Sequence, residues 1–145
     1  LKYKEASAGH DNCHLNIQCT LTSINLVTID KWWDEMMDFN IDVQVNPVHH
    51  PFPLSVSAIP PELKNKSVEW LKNWLLQFSV KKESTDITVR NKIWTTNNVI
   101  KVLKNTEFNV ENLHKFQAAT RKLDTIRGED IIKLDDRFSS MLDKK

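Results

Sequence analysis

The spacing of apolar residues changes twice in the first third of the chain and predicts a strand, a helix and a second strand. Over 15–21, apolar and polar residues alternate, which predicts a strand with one buried face. Over 28–39 the apolar spacing becomes helical, and Thr28 is the predicted N-cap. Alternation returns over 41–45. A unit of this length predicts two parallel strands joined by a right-handed crossover.

The next segment is rich in proline and leads into a long helix. All five prolines lie within 46–61, which predicts extended loop with at most a short edge strand over 54–58. Pro61 suits the first turn of a helix, and helical spacing then continues over 63–78.

The last third of the chain is predicted to be helical. A polar segment over 81–90 predicts a loop, and weaker helical spacing follows over 91–103. Asn109 is a predicted N-cap for a further helix that ends at Gly128, and 131–142 predicts a short final helix.

These elements predict an α/β (α+β) fold in two parts that form one compact unit. Residues 1–58 hold the strand–helix–strand part, and residues 59–145 form the helical region. A chain of 145 residues has the size of one ordinary domain and can bury about two-thirds of its surface.

Composition and charge exclude several functional classes. Twenty Lys+Arg against 19 Asp+Glu give a net charge of +1, which removes the electrostatic case for a dedicated nucleic-acid binder. The two glycines, Gly9 and Gly128, are too far apart for a glycine-rich phosphate loop. No apolar run approaches the roughly 20 residues of a membrane span, and no secretory signal is expected. The two cysteines are predicted to be free thiols in a reducing compartment, which favours a cytoplasmic location.

One cluster of metal-ligand residue types lies near the start of the chain. His10, Cys13, His14 and Cys19 carry imidazole and thiolate groups that suit zinc. Their spacing, H-x2-C-H-x4-C, matches no common zinc motif, and Cys19 falls on the apolar face of the first strand. A core thiol with surface histidines is the favoured interpretation, so no metal site is assigned.

Two other groups have both a functional and a structural interpretation. His49 and His50 follow the second strand, where α/β proteins place ligands, but adjacent side chains of an extended segment point in opposite directions. Trp70 and Trp74 with Lys72 resemble a stacking platform for single strands, although such helical stripes are more often core or subunit interface. No Ser-His-Asp, HExxH or Walker pattern is present, so no catalytic residue is assigned.

A more specific signal is a set of motifs in fixed order. T-L-T-S-I-N occupies 20–25, V-N-P-V occupies 45–48 and L-S-V-S-A-I-P-P-E-L-K occupies 54–64. Phe116 and then L-D-T-I-R-G at 123–128 follow. This order resembles the C-terminal part of radical SAM enzymes that carry a twitch or SPASM-like region.

The resemblance implies the last strands of a partial (β/α) barrel followed by helices, so residues 1–58 would belong to a barrel-like sheet. In that family S-adenosylmethionine lies across the carboxyl ends of the strands. Carried over by position, the cofactor-binding residues would be Thr22, Ser23, Asn25, Asn46, Pro47 and Val48. Asp124 and Arg127 match a helical motif and are interpreted as a structural acid–base pair.

The chain departs from the family at the iron–sulfur cluster. The family uses C-x3-C-x2-C, whereas this chain has Cys13 and Cys19 spaced C-x5-C. A [4Fe–4S] cluster with one open iron needs three thiolates, so neither the cluster nor S-adenosylmethionine is expected on this chain alone.

The predicted function is therefore the catalytically incomplete C-terminal portion of a radical SAM-type protein, with both cofactors only in a full-length context. Its expected partner is the missing N-terminal part or a second copy, because half a barrel leaves bare sheet edges. The alternative is a non-catalytic α+β interaction module, a homodimer whose Trp-rich helices form the interface. A metal-binding or nucleic-acid-binding protein is the third hypothesis.

Overall fold

The computed structural model describes residues 15–39, 41–81 and 86–142. Within these ranges the fold is mostly helical with one small sheet. The strands are β1 (Asn16–Leu21) and β2 (Asp42–Pro47). The α-helices are α1 (Ser23–Val27), α2 (Trp33–Asp38), α3 (Pro61–Lys81), α4 (Ile87–Asn105), α5 (Val110–Arg127) and α6 (Ile131–Leu134).

The two strands pair in parallel, with Ile17 opposite Val43 and Leu21 opposite Pro47. This confirms the predicted parallel pairing and the mixed α+β class. One face of the pair packs on the helices, and its side chains are partly or fully buried: Ile17, Cys19, Leu21, Val43 and Val45.

The crossover between the strands is not the single helix predicted over 28–39. A helix begins directly after β1, because Thr22 and Asn25 form a reciprocal cap: Asn25 N donates to Thr22 Oγ1 at 3.3 Å, and Thr22 N donates to Asn25 Oδ1 at 2.6 Å. Thr28 ends α1 and also precedes a 3₁₀ helix, but its side chain makes no capping hydrogen bond there and no α-helix starts at it. A 3₁₀ helix over Ile29–Lys31 then separates α1 from α2.

The proline-rich segment contains two 3₁₀ helices, Phe52–Leu54 and Val56–Ala58, so the predicted edge strand over 54–58 was wrong. Ser55 starts the second turn, because its hydroxyl accepts a hydrogen bond from Ser57 N at 3.2 Å. Such local bonds satisfy the backbone without a neighbouring strand.

The helical region follows the prediction more closely. Helix α3 begins at Pro61, Asn109 caps α5 by accepting from Asn112 N at 3.1 Å, and Gly128 ends α5 with a φ of 65°. Helix α4 starts earlier than 91, because the Asp86 carboxylate accepts from Thr88 N at 2.8 Å. The predicted final helix is a short α6 and a 3₁₀ helix over Asp136–Ser140.

One hydrophobic core joins the strand pair, the crossover and the helices. Its largest fully buried side chains include Trp33, Phe116 and Phe138, which come from α2, α5 and the last 3₁₀ helix. Among the helices of the described ranges, none has the length and apolar character needed to cross a membrane.

Candidate binding surface on the parallel strands

The face of the strand pair that points away from the helices carries uncharged polar side chains. We call this surface the amide face; its residues, all exposed, are Asn16, Gln18, Thr20, Gln44 and Asn46. The register sets Gln18 beside Gln44 and Thr20 beside Asn46. The amide face therefore offers hydrogen-bond donors and acceptors side by side, and the half-buried Asp42 carboxylate, which accepts from Asn91, lies at its edge.

The outer edge of β1 is open among the described residues. Val48 N donates to the Leu21 carbonyl at 2.8 Å, so Leu21 directs its backbone polar groups toward β2. By the alternation of a parallel ladder, Gln18 and Thr20 direct theirs away from β2. Asn25 Nδ2 donates to the Thr20 carbonyl at 2.8 Å, which agrees with that direction. Within the described ranges β1 pairs only with β2.

The outer edge of β2 is partly covered by α4. Thr95 Oγ1 donates to the Val43 carbonyl at 2.9 Å, and Asn91 Nδ2 donates to Asp42 Oδ1 at 3.1 Å. The backbone polar groups of Val43 therefore point away from β1. By the alternation of the ladder, those of Val45 and Pro47 do the same. Pro47 has no N–H, so it further limits pairing at this edge.

Beyond Val43, a cleft of about 670 Å³ opens between β2 and α4. We call it the β2 cleft. The strand lines it with Gln44, Val45, Asn46 and Pro47, and the other side carries Trp94, Thr95, Asn98, Lys101, Val102, Asn105 and Thr106. Its volume lies within the range of about 300–1,000 Å³ that is typical of ligand sites. Gln44 and Asn46 belong both to this cleft and to the amide face.

The structure places three of the predicted cofactor-binding residues directly after β1, where their side chains bond within the chain. Thr22 and Asn25 cap each other, and Asn25 also holds the Thr20 carbonyl. Ser23 is fully buried, and its hydroxyl donates to the Pro53 carbonyl at 3.1 Å. These contacts shape the turn from strand to helix.

The other three predicted residues lie at the end of β2. Val48 N donates to Leu21, and the Val48 carbonyl accepts from Val56 N at 3.1 Å. Asn46 is exposed, and Asn46 and Pro47 both line the β2 cleft. The structure thus brings Asn46 and Pro47 to a ligand-sized space on the other side of β2 from β1.

The remaining motif residues have structural contacts. Lys64 is buried, and its ammonium group donates to the Thr106 carbonyl at the C-terminal end of α4. Burial lowers the pKa of Lys64. Asp124 and Arg127 do not form the predicted pair: an Asp124 carboxylate oxygen lies 3.4 Å from Ile131 N, and Arg127 lies 4.0 Å from Glu129.

Cys19 is the member of the predicted His–Cys cluster that lies within the described residues. Cys19 is half-buried on the face toward the helices, and burial raises the pKa of its thiol. In the described ranges, no three His, Cys, Asp or Glu side chains are gathered into a metal-binding group. His10, Cys13 and His14 lie outside the described residues. No step of chemistry through a cluster follows from these side chains.

The other sequence candidates are resolved by packing. Trp74 is buried, stacks on Phe78 with ring centroids 4.5 Å apart, and donates from Nε1 to Asp34 Oδ1 at 2.8 Å. Trp70 is partly buried against the same core. His49 and His50 are exposed, and the His50 ring lies 4.4 Å from the Phe52 ring. The Trp74 side chain thus serves the core.

Sequence reasoning missed the α4 side of the cleft. Trp94 is 67% exposed, although it lies in a helix predicted only for its apolar stripe. Its exposure follows from the position of α4 on the edge of β2, which no local pattern encodes. The available signal was a large aromatic residue off the apolar stripe of its helix.

Comparison with protein-family models, curated proteins and solved structures gave no match.

Proposed function

We propose that this chain supplies the late strands and following helices of a radical SAM-type partial barrel and is catalytically incomplete alone. The observation that carries the proposal is a parallel strand pair with helices on one face and, among the described residues, no element on the amide face or along the outer edge of β1. The motif order in the sequence supplies the choice of family.

The bare face supports an incomplete sheet. Parallel sheets occur almost only with both faces covered, and two strands alone are marginal in water. Here the helices cover one face, while five exposed polar side chains line the other. A barrel interior would enclose that second face and use its amide groups to bind a polar substrate or cofactor.

The difference between the two edges gives the direction in which the sheet would continue. At β2, Thr95 occupies the Val43 carbonyl and Pro47 lacks a donor. At β1, Gln18 directs both backbone groups outward from an exposed position. Further strands would therefore add to β1, which makes β2 the last strand of the sheet.

The residues proposed to contribute to the site are Gln44 and Asn46, because their side chains make no hydrogen bond within the described part of the chain. S-adenosylmethionine would be held with a cluster that residues outside this chain provide. The amides would orient its polar groups, and this chain would contribute no cluster ligand.

The test is the protein encoded by the complete reading frame, reconstituted anaerobically with iron and sulfide. We expect C-x3-C-x2-C upstream of Leu1, a bound cluster and, once added dithionite supplies one electron to that cluster, release of methionine and 5′-deoxyadenosine from S-adenosylmethionine. The double variant Gln44→Ala with Asn46→Ala should lower that release, whereas Asn73→Ala on the exposed side of α3 should leave it unchanged. A reading frame that starts at Leu1, or a reconstituted protein without a cluster, would overturn the proposal.

The β1 edge also favours a second candidate, the homodimeric interaction module, with its interface at β1 in place of the predicted Trp-rich helices, because Trp74 is buried and Trp70 packs partly buried against the core. Two copies of β1 would pair edge to edge, using the outward backbone groups of Gln18. Gln18→Pro removes the outward N–H and leaves the bonds to β2 intact. Light scattering should then show a dimer for the natural chain and a monomer for the variant. A monomeric natural chain would exclude this candidate.

A further inference from the structure

The β2 cleft has the features of a peptide site, and we propose that it binds an extended, acidic segment of another polypeptide, paired with the outer edge of β2. This inference does not depend on the radical SAM proposal, because it concerns the edge of the sheet that faces away from β1.

Strand β2 presents backbone hydrogen-bonding groups to the cleft. Val45 directs its N–H and its carbonyl away from β1, and Pro47 directs its carbonyl the same way. Thr95 takes the corresponding carbonyl of Val43, so α4 closes the edge there, and among the described residues the outward groups left for pairing are the Val45 N–H, the Val45 carbonyl and the Pro47 carbonyl. One residue of an antiparallel peptide can exchange both hydrogen bonds with Val45, which is the pairing used in strand addition.

The α4 side of the cleft carries amide side chains. Asn98 and Asn105 on α4 line it, and neither side chain has a hydrogen-bond partner within the described ranges. By contrast, Asn91 and Asn97 on the same helix bond to Asp42 and to the Ile93 carbonyl. The amides that face the cleft are therefore available to the outer edge of a bound peptide backbone.

Lys101 is the one charged side chain among the described residues that line the cleft. Of the other basic residues on α4, Lys92 is buried and donates to the Met37 carbonyl, and Lys104 does not line the cleft. Lys101 therefore attracts an acidic peptide and repels a basic one.

Trp94 is the most exposed of the five tryptophans in the chain, at 67%. A flat ring at the mouth of a cleft can cover a peptide side chain with little loss of conformational entropy, and tryptophan is enriched among residues that dominate binding. A single aromatic residue and a single lysine provide too little for a strand of nucleic acid, which needs a series of both.

The test uses two soluble probes, each an acetylated and amidated heptapeptide. Threonine alternates with glutamate in one, and with lysine in the other. Titration of the ¹⁵N-labelled chain should move the backbone signals of Val45 and of residues on α4. The glutamate peptide should bind about fivefold or more tightly than the lysine peptide at low salt.

Two variants and one modified probe test the contacts. Trp94→Ala should weaken binding about tenfold or more, and Lys101→Glu should reverse the preference between the two peptides. Lys104→Glu, on the same helix outside the cleft, should not reverse it. Methylation of alternate peptide nitrogens should abolish binding, because it removes the donors that pair with β2.

Three results would overturn the proposal. The first is no binding of either peptide at millimolar concentration. The second is binding that Trp94→Ala and Lys101→Glu leave unchanged, or that maps to the β1 edge. The third is a homodimer that Trp94→Ala dissociates, which would assign the cleft to a second copy of the chain.

Discussion

The buried carboxylate of Asp135 should stabilise the fold in a pH-dependent way. Its side chain is 4% exposed and accepts hydrogen bonds from Arg137 Nε at 2.8 Å, Arg137 Nη2 at 2.7 Å and Arg137 N at 3.0 Å. Lys31 Nζ lies 2.7 Å from the same carboxylate, and Arg137 also reaches Asp30 at 2.7 Å. The cluster ties the last 3₁₀ helix to the crossover between the strands.

The change to test is Asp135→Asn, which keeps the size and one acceptor oxygen but removes the charge. A hydrogen bond to a charged group contributes about 1.5–3 kcal/mol. Lys31 is 56% exposed and Arg137 31%, so solvent reduces their part below that of a fully buried pair. We expect Asp135→Asn to lower the free energy of unfolding by about 2 kcal/mol at pH 7, which lowers the midpoint of urea unfolding by about 1 M. Urea is used because a denaturing salt would screen the ion pairs.

The sign of the pH dependence follows from the lowered pKa. Hydrogen bonds from Arg137 hold the pKa of Asp135 well below its usual range. Protons therefore bind the unfolded chain more readily, so the stabilisation is complete above about pH 4 and declines as the pH falls. The gap between the natural chain and Asp135→Asn should narrow below about pH 4. Equal midpoints at pH 7, or a gap that stays constant down to pH 3, would refute this reasoning. Glu111→Gln, which breaks an exposed pair with Lys115, is the control and should leave the midpoint unchanged.

Three further predictions concern single positions. Gly128→Ala should lower the free energy of unfolding by about 1 kcal/mol, because φ is 65° at this position, even though there is space for the added methyl group. Calorimetry that shows no loss of stability would contradict the left-handed cap. Phe116→Ala should cost about 3–5 kcal/mol or prevent folding, because the ring is 1% exposed; a near-natural melting temperature would show that it is not in the core. In a Cys13→Ser background, Cys19 of the folded chain should react with iodoacetamide more slowly than Cys19 of the chain unfolded in urea, because burial raises the pKa of the thiol. Equal rates in the two states would contradict the burial of Cys19.

Local patterns predicted the elements whose cause is local. Alternation located both strands, and the caps at Asn109 and Gly128 located both ends of α5. The break in the crossover is also encoded locally, because Thr22 and Asn25 have the spacing of a capping box. The box was not predicted, because Asn25 stands where the common motif has Glu or Gln. Asp86 before Ile87 was a similar signal for the start of α4.

The candidate site could be predicted only in part, because its two sides come from distant segments. The sequence placed Asn46 and Pro47 at the end of a strand that precedes a loop. It could not show that α4 lies along the outer edge of that strand, since this depends on Thr95 meeting the Val43 carbonyl across 52 residues. The cleft exists because α4 contacts β2 near Val43 and leaves it further along.

The two proposals use opposite edges of the same strand pair, and this makes them separable. Gln18→Pro should block addition of strands or of a second copy at β1 while it leaves peptide binding at β2 intact. Trp94→Ala should have the reverse effect, because its ring faces the β2 cleft and not the amide face. Gln44 and Asn46 border both surfaces, so their double variant tests the radical SAM proposal through release of 5′-deoxyadenosine alone and is not used to test peptide binding. If Gln18→Pro and Trp94→Ala instead each impaired both the pairing at β1 and the peptide binding at β2, the strand pair would act as one site. The difference in how its two edges are covered would then have no functional meaning.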